Sequence, residues 1–504
     1  MKRAIGFDNA KYLQEQTAAI RERVGRYEKL YLEFGGKLLF DYHAARVLPG
    51  YDPNVKMALL HELRDQADVL LCIYAGDIER KKIRGDFGIT YDSDALKLID
   101  DLQDRGLSVC GVIITRYAGQ PAARQFRAKL ARRGLRVVTH AAIPGYPTNL
   151  GLIVGPEGFG ANAYLETTKP LVVVTGPGPG SGKLATCLTL LYHDHQRGRK
   201  SGYSKFETFP IWNLPLKHPV NVAYEAATAD LGDFNLIDPH HLEAHGQIAV
   251  NYNRDVEVFP VLRRILEKIT GGVAEYQSPT DMGVNRAGFG IADDAAVREA
   301  ARQEVIRRYF RHACEYALGL CEQEPVQRVE MLLREVEAHP EDRRVVGPAR
   351  AAAEEAQRRG QGNAGICCGA ALELADGTII TGRNSPLLHA ASAVLLNAIK
   401  HLAGLPNPIH LLSPAVTASV GTLKREILGR KSESLSLEET LIALSISSTT
   451  NPAAQAAMEQ LKALAGCELH LTHIPAPGDE VGLKRLGVNV TSDPNFPSRN
   501  LFVT

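Results

Sequence analysis

The stretch LVVVTGPGPGSGKLATCLTLL, residues 171–191, decides how the chain is expected to fold. Its first four residues, 171–174, are apolar and predict a short buried strand, and the residues from Leu184 onward are compatible with a helix. Between these elements, residues 176–182 comprise four glycines, two prolines and a serine, and Lys183 follows them. A glycine loop between a strand and a helix N-terminus typically binds phosphate, because its amides converge on an anion and a lysine adds a full charge.

The candidate phosphate-binding residues are those of the loop, the lysine and a threonine one helical turn further on: Gly176, Gly178, Gly180, Ser181, Gly182, Lys183 and Thr186. The pattern departs from the Walker A motif, because five residues rather than four separate Gly176 from Gly182. Leu184 also stands where a Ser or Thr would contact magnesium, which leaves Thr186 as the nearest hydroxyl. We predict a phosphate or nucleotide site here, and a purely structural strand-to-helix turn is the alternative.

Alternating strands and helices surround this stretch. Apolar runs at 68–74, 108–115 and 135–140 predict strands, and amphipathic segments at 93–105 and 122–133 predict helices. This alternation is typical of a parallel sheet covered by helices on both faces. We therefore predict an α/β fold with a mainly parallel, Rossmann-like or P-loop-like sheet domain. Its ligand site is expected beyond the carboxyl ends of the strands.

Polar residues in other loops are candidates for the walls of that site: Arg84, Asp86, Arg116, Glu157, Asn162, Ser278, Thr280 and Asn285. Their convergence depends on the parallel topology. Asp281 lies in the loop YQSPTDMGVNRAGFG, residues 276–290, and is predicted to be catalytic together with Lys183. A carboxylate there could accept a substrate hydroxyl proton or orient a metal-bound water. A turn ahead of a helix explains the same residues equally well.

A histidine-rich segment, DPHHLEAHG at 238–246, contains His240, His241, Glu243 and His245. Histidine and glutamate are zinc ligands, but their spacing here fits no standard zinc motif. We therefore predict a solvated short helix and no metal site.

The composition is that of an ordinary soluble protein of 504 residues, with 45% hydrophobic and 23% charged residues. A net charge of +1 argues against nucleic acid or an anionic membrane surface as a partner. No apolar run has the length of a transmembrane helix, and the N-terminus lacks the apolar core of a signal peptide. The eight scattered cysteines form no C-x-x-C pattern, so we expect a reduced, cytoplasmic protein.

Three domains are predicted: an α/β phosphate-binding domain at 1–270, a helical subdomain with a polar loop at 271–362, and an α/β domain at 363–504. The helical prediction depends on charged, alanine-rich, periodic segments between 293 and 359. Two further strands are predicted at 220–224 and 409–412.

The last of the three predicted domains, residues 363–504, resembles the cytidine deaminase fold. The resemblance lies in a hairpin turned at Ala375-Asp376-Gly377, in the segment TGRN, in His389 at the start of a helix, and in Ser-Pro at the start of the next helix. It implies a cytidine-deaminase-like α/β domain.

The same resemblance implies that this domain binds no zinc. Zinc deaminases need a His or Cys, a catalytic glutamate, and two cysteines in Pro-Cys-x-x-Cys. His389 occupies the first ligand position, but Ala391 stands in place of the glutamate, and Ala415 and Ala418 replace the cysteines. We therefore expect the domain to support assembly, as in a homo-oligomer, or to complete a neighbouring pocket, and not to catalyse deamination.

Taken whole, the chain resembles a bacterial protein family of unknown function. The residues that carry this resemblance are GFDNAKYL, GPGPGSGK and SPTDMGVN. Some relatives are described as ATP-dependent peptidases, but this sequence contains no H-E-x-x-H, and Pro179 stands where G-x-S-x-G would require its first glycine. The resemblance implies architecture and location, and supplies no activity.

Two functions remain open at this point. The first is an enzyme acting on a nucleotide or phosphorylated metabolite, a phosphotransferase or NTP hydrolase with magnesium accompanying the nucleotide. The second is a non-catalytic protein that senses such a ligand or serves in assembly. The missing Ser or Thr after Lys183 favours the second, whereas the dense polar loops favour the first.

Overall fold

The computed structural model describes residues 5–84, 88–273 and 275–498. The chain divides into two compact units, an N-terminal unit, Ile5–Ala301, and a C-terminal unit that runs from Arg302. The division into three domains at 270 and 362 stays a prediction. No helix within the described residues is long and apolar enough to cross a membrane.

The N-terminal unit is built on one large parallel sheet. The strands of this unit are β1 Lys29–Phe34, β2 Ala67–Tyr74, β3 Ile83–Arg84, β4 Ile89–Thr90, β5 Ser108–Thr115, β6 Val137–Thr139, β7 Leu171–Thr175, β8 Ser201–Phe206, β9 Asn235–Ile237, β10 Val250–Tyr252 and β11 Gly283–Val284. Seven of them form the sheet in the order β11-β8-β1-β7-β2-β5-β6, and every neighbouring pair is parallel. The antiparallel pairs β3–β4 and β9–β10 lie outside this sheet.

Helices connect these strands. They are α1 Asn9–Val24, α2 Tyr42–Val47, α3 Val55–Glu62, α4 Ala75–Glu79, α5 Tyr91–Asp104, α6 Pro121–Arg132, α7 Leu150–Ile153, α8 Lys183–Gln196, α9 Pro219–Ala227, α10 Pro239–His245, α11 Asn253–Thr270 and α12 Pro279–Met282. Another helix, α13 Asp294–Ala317, contains the boundary between the two units.

Both faces of the sheet are buried, because successive side chains of a strand point to opposite faces. Leu30 and Leu32 of β1 belong to a core with residues of α1, α3, α5 and α6. Tyr31, between them, belongs to a second core with residues of α8 and α11. The strand predictions at 68–74, 108–115 and 135–140, and the parallel sheet covered on both faces, are confirmed.

The C-terminal unit contains α14 Gln323–Glu335, α15 Val346–Arg358, β12 Gly369–Glu373, β13 Ile379–Arg383, α16 Ala390–Leu402, α17 Pro414–Thr422, α18 Leu437–Ser448, α19 Pro452–Glu459, β14 Glu468–Leu471, α20 Pro477–Arg485 and β15 Asn489–Ser492. Its sheet has the order β13-β12-β14-β15, in which only the β14–β15 pair is parallel among the described strands. The helices α13 to α15 confirm the helical prediction for 293–359.

Two predicted strands are wrong. Residues 220–224 lie in α9. Pro219 is the first residue of this helix, and the His218 ring accepts a hydrogen bond from the Val220 amide. Residues 409–412 pair with no strand within the described chain, although Leu411 and Leu412 are buried in the core. A helix begins at Pro414, two residues after the run.

Candidate functional site

The glycine loop lies at the carboxyl end of β7, a central strand of the large sheet. Gly180 and Gly182 have φ angles of +72° and +90°, the left-handed region that glycine adopts without strain. Gly182 is the N-cap of α8, so no side chain caps this helix. Within the described chain, the amides of Lys183, Leu184 and Ala185 donate to no protein acceptor. The loop therefore presents the unpaired amides that anion-binding helix termini use.

Close contacts hold the loop in this shape. The Ser181 hydroxyl donates to the Gly178 carbonyl at 3.0 Å, and the Thr115 hydroxyl donates to the Ser181 carbonyl at 2.7 Å. A Cβ atom on Gly178 would lie 2.5 Å from the Tyr91 hydroxyl, and one on Gly182 would lie 2.8 Å from Thr115. These two positions therefore accept only glycine without rearrangement. A Cβ on Gly180 would meet nothing within 4 Å, so this glycine borders open space.

Two cations border the loop. The Lys183 ammonium lies 3.4 Å from the Gly178 carbonyl, and the Arg116 guanidinium donates to the Gly180 carbonyl. Arg116 also lies over the ring of Tyr74, 3.5 Å from its centroid, which fixes the guanidinium at the end of β2. The structure thus brings Arg116 together with Lys183, as predicted from the parallel order of the strands.

A group of charged side chains on β1, at the end of β8 and on α11 was missed by the sequence reasoning above. Glu33 of β1 is in register with Val174 on one side and Lys205 on the other. Its carboxylate accepts from the Tyr203 hydroxyl at 2.7 Å. Lys205 lies 2.5 Å from the carboxylates of both Glu207 and Asp255.

Burial shifts the acid–base chemistry of the cluster. Burial raises the pKa of Glu207 to about 7, although the Lys205 ammonium opposes the shift. Burial alone would lower the pKa of Lys205, but Asp255 and Glu207 raise it above its usual value. Burial opposes ionisation of Asp255, but Lys205 lowers the pKa of that carboxyl below its usual value. The carboxyl edge therefore holds one carboxyl group that titrates near neutral pH.

Several predicted residues do not face the loop. Thr186 is fully buried and accepts a hydrogen bond from the Cys72 thiol at 3.3 Å. The Asn162 side chain accepts from the Ala141 amide at 2.7 Å, and that of Asn285 donates to the Pro210 carbonyl at 2.7 Å. These contacts hold loops in place.

Three other wall candidates are Glu157, Arg84 and Asp86. Glu157 is exposed in a turn. The backbone of Arg84 lies in β3, but its side chain and Asp86 lie outside the described residues.

Asp281 lies in a different cluster. Its carboxylate is 3.0 Å from the Nε2 atom of His245 and 3.5 Å from the Nδ1 atom of His241. Ser278 contacts the same His241 nitrogen at 3.0 Å, and Thr280 donates to Asp238 at 2.7 Å. The polar loop at 276–290 and the histidine-rich segment, which the sequence presents as separate features, thus form one site.

A cavity of about 200 Å³ lies at the opposite, amino end of β2 and β5. The charged side chains that line it already form hydrogen bonds with backbone groups. Asp68 accepts from the Thr168 amide at 2.9 Å, and Arg136 donates to the Cys110 carbonyl at 2.9 Å. This cavity therefore offers less free hydrogen-bonding capacity than the loop.

In the C-terminal unit, His389 joins two helices. Its Nδ1 atom lies 2.7 Å from Asp479, whose other oxygen accepts from the Leu437 amide at 2.8 Å. Ala391 is buried in the core of this unit. The expectation that this domain binds no zinc stays a prediction.

The fold and the loop define a class: a parallel α/β unit with a glycine loop at its carboxyl edge, followed by a second α/β unit. The chain matches the family model described as "Domain of unknown function DUF1846, N-terminal" over residues 5–337. It matches the corresponding C-terminal model over residues 341–502. The protein therefore belongs to the DUF1846 family.

Two clostridial proteins are similar to the chain over nearly their full length. The chain is 56% identical over 498 residues to a "UPF0371 protein" of Clostridium botulinum (strain Langeland / NCTC 10281 / Type F), covering 99% of both chains. It is 54% identical, over the same length and coverage, to a "UPF0371 protein" of Clostridium tetani (strain Massachusetts / E88). The resemblance to a full-length bacterial family of unknown function is thereby confirmed.

Proposed function

We propose that the N-terminal unit binds a nucleotide or phosphorylated metabolite at the glycine loop. The observation that supports this most is the set of unpaired amides in the first turn of α8, on a helix capped by Gly182. A helix N-terminus carries about half a positive charge, and its free amides point along the helix axis toward an anion. Because no side chain caps α8, these amides stay available to a ligand.

The two cations extend this positive site. Lys183 and Arg116 both contact carbonyl oxygens of the loop itself, at Gly178 and Gly180. Phosphate oxygens accept stronger hydrogen bonds than carbonyl oxygens do. The Lys183 side chain can turn from the carbonyl to a phosphate at the loop, the Arg116 guanidinium is held beside the same place by Tyr74, and the open space beside Gly180 admits the ligand.

Glu33 is the carboxylate that adjoins this phosphate site on the neighbouring strand. In P-loop NTPases, a carboxylate from the sheet helps to hold the magnesium ion of the nucleotide. The register of Glu33 with Val174, two residues before Gly176, supports a P-loop-like role for this part of the sheet. We assign Glu33 this position and assign none to Thr186, whose hydroxyl is buried against Cys72.

The burial of Thr186 favours a second candidate, a sensing protein that binds the ligand without turnover. With Leu184 after the lysine and Thr186 buried, no hydroxyl from the first turn of α8 is available to hold a magnesium ion. P-loop enzymes use that hydroxyl as a magnesium ligand. Binding and turnover are therefore measured separately.

The experiment is a titration of the full-length protein with ATP, GTP, a sugar phosphate and inorganic phosphate, with and without magnesium. Charge-assisted hydrogen bonds contribute about 1.5 to 3 kcal/mol, so Lys183→Ala should weaken binding roughly ten- to a hundredfold. Its melting temperature should stay close to that of the wild type, since the lysine makes one long hydrogen bond at 3.4 Å. Product formation with magnesium separates an enzyme from a sensor.

The matched control is Lys129→Ala. Lys129 is an exposed lysine in the last turn of α6, and helices that follow parallel strands return to the amino end of the sheet. The variant removes the same charge far from the loop and should bind as the wild type does. If Lys183→Ala binds equally well, or if it unfolds the protein, the loop is a structural turn.

A further inference from the structure

The cluster at α10 and α12 has the composition of a metal site. His241 and His245 are four residues apart on α10, so their rings lie on one face of the helix, with centroids 4.6 Å apart. Asp281 of α12 completes the group. One nitrogen of each histidine and one oxygen of the aspartate all lie within 4.8 Å of one another. Ligands of a single bound ion, at about 2.0 to 2.2 Å from it, are separated by distances of this order.

The surrounding contacts hold both ligand-bearing segments in place. Asp238 caps α10 with one carboxylate oxygen and accepts from the Thr280 hydroxyl with the other, which ties α10 to α12. Ser278 caps α12 by accepting from the Asp281 amide at 3.0 Å. The Asp281 carbonyl accepts from Arg23 at 2.7 Å. Such support around the ligands is typical of metal sites, where outer contacts fix ligand orientation.

The candidate ligands are also accessible. The side chain of His245 is 37% exposed and that of Asp281 is 23% exposed, so an ion can reach the ligands from solvent.

We propose that His241, His245 and Asp281 bind a divalent transition-metal ion, with the remaining coordination positions open to water. Two histidines and one carboxylate are the donor set of catalytic zinc sites and of non-haem iron sites, and they are poorly matched to magnesium, which prefers oxygen ligands. Metal-bound water has a lowered pKa, so such an ion would supply a hydroxide at neutral pH. This site replaces the sequence-based prediction that the histidine-rich segment binds no metal.

A second group of candidate ligands in the chain is less suited to binding a metal ion. His312, Glu315 and Cys321 of the C-terminal unit also lie within 4.8 Å of one another. The thiol of Cys321 donates to the His312 carbonyl at 3.7 Å, and Glu315 takes part in an ion pair with Arg311 at 2.8 Å. A thiolate ligand would mark this group in a spectrum, whereas the site at His241 has no sulfur.

The experiment uses cobalt(II) as the probe and the full-length protein without a histidine tag. The wild type should bind one cobalt ion whose visible d–d absorption lacks a thiolate charge-transfer band, with zinc competing for the same site. His245→Gln and Asp281→Asn should each weaken binding at least roughly a hundredfold, since even the loss of outer contacts costs ten- to a hundredfold. His245 is the primary variant, because its exposed ring contributes least to folding.

The matched control is His240→Gln, which removes the adjacent histidine of α10, a ring that packs against Phe259 with centroids 5.3 Å apart. It should bind cobalt as the wild type does, and the melting temperatures of all variants verify folding. The proposal is overturned if the wild type binds no cobalt, if His245→Gln and Asp281→Asn bind it as the wild type does, or if the bound ion shows a thiolate band that Cys321→Ser removes.

Discussion

Replacing Gly182 by alanine tests whether the glycine loop is locked in the observed shape. The matched variant is Gly180→Ala, because both glycines have positive φ, +90° and +72°, but only one of them is crowded. A Cβ at Gly182 would lie 2.8 to 2.9 Å from three atoms of Thr115, whereas one at Gly180 would meet nothing within 4 Å. The difference between the two variants therefore isolates the contact with Thr115.

The magnitudes follow from these two terms. A left-handed conformation costs a non-glycine residue about 1 to 2 kcal/mol, and both variants incur this cost. Overpacking adds typically 1 to 3 kcal/mol, which applies to Gly182→Ala alone. We expect a loss of about 1 to 2 kcal/mol for Gly180→Ala and roughly 2 to 5 kcal/mol for Gly182→Ala.

The assay is thermal unfolding of the ligand-free protein, followed by the transition of the N-terminal unit. For domains of this size, 1 kcal/mol shifts the melting temperature by about 2 to 4 °C. Gly182→Ala should therefore melt several degrees below Gly180→Ala. Equal melting temperatures would refute the reasoning, because they would mean that the loop does not press against Thr115 and has no fixed shape to present to an anion.

Two further predictions concern buried charge. Because burial raises the folded-state pKa of Glu207 from 4.5 to about 7, its contribution to stability is complete below pH 4.5 and is lost as the pH rises through 7. Glu207→Gln should remove this pH dependence, by an amount of order 1 to 3 kcal/mol, in melting curves from pH 4.5 to 8; an unchanged slope would contradict it. In the C-terminal unit, Arg343 is 2% exposed and donates to Glu468 at 2.6 Å, so Arg343→Met should cost about 3 to 5 kcal/mol in denaturant titrations. Its control, Arg344→Met, removes an arginine whose side chain is 60% exposed and should cost less than about 1 kcal/mol; similar losses for both would contradict the buried pair.

The large sheet was predictable because its evidence is local. Residues 69–74 and 171–174 are continuous apolar runs, and a parallel strand that is buried on both faces requires such a run. The run at 220–224 looks similar but lies in α9, since an apolar run of this length does not distinguish a strand from a buried helix. Its neighbour Pro219, at the first helical position, was the signal that decides between them.

The candidate sites differ in the same respect, which is whether their evidence is local in the sequence. The glycine loop and Lys183 are contiguous, so their composition reveals the site without knowledge of the fold. Asp281 meets His245 only through tertiary structure, and no spacing in the sequence encodes a distance between α10 and α12. Glu33 was missed for the opposite reason, because it sits inside an apolar strand whose pattern indicates only burial.

The strand order has a consequence for synthesis on the ribosome. β1 lies between β7 and β8, so its first partner leaves the ribosome about 140 residues after it, or roughly 7 to 30 s later at ordinary translation rates. Throughout that time neither edge of the strand KLYLEF is paired, and its apolar residues stay uncovered by a neighbouring strand. An unpaired apolar strand is a template for aggregation. The nascent chain therefore depends on early helices or on a chaperone to cover β1 until Leu171 can pair with Leu30.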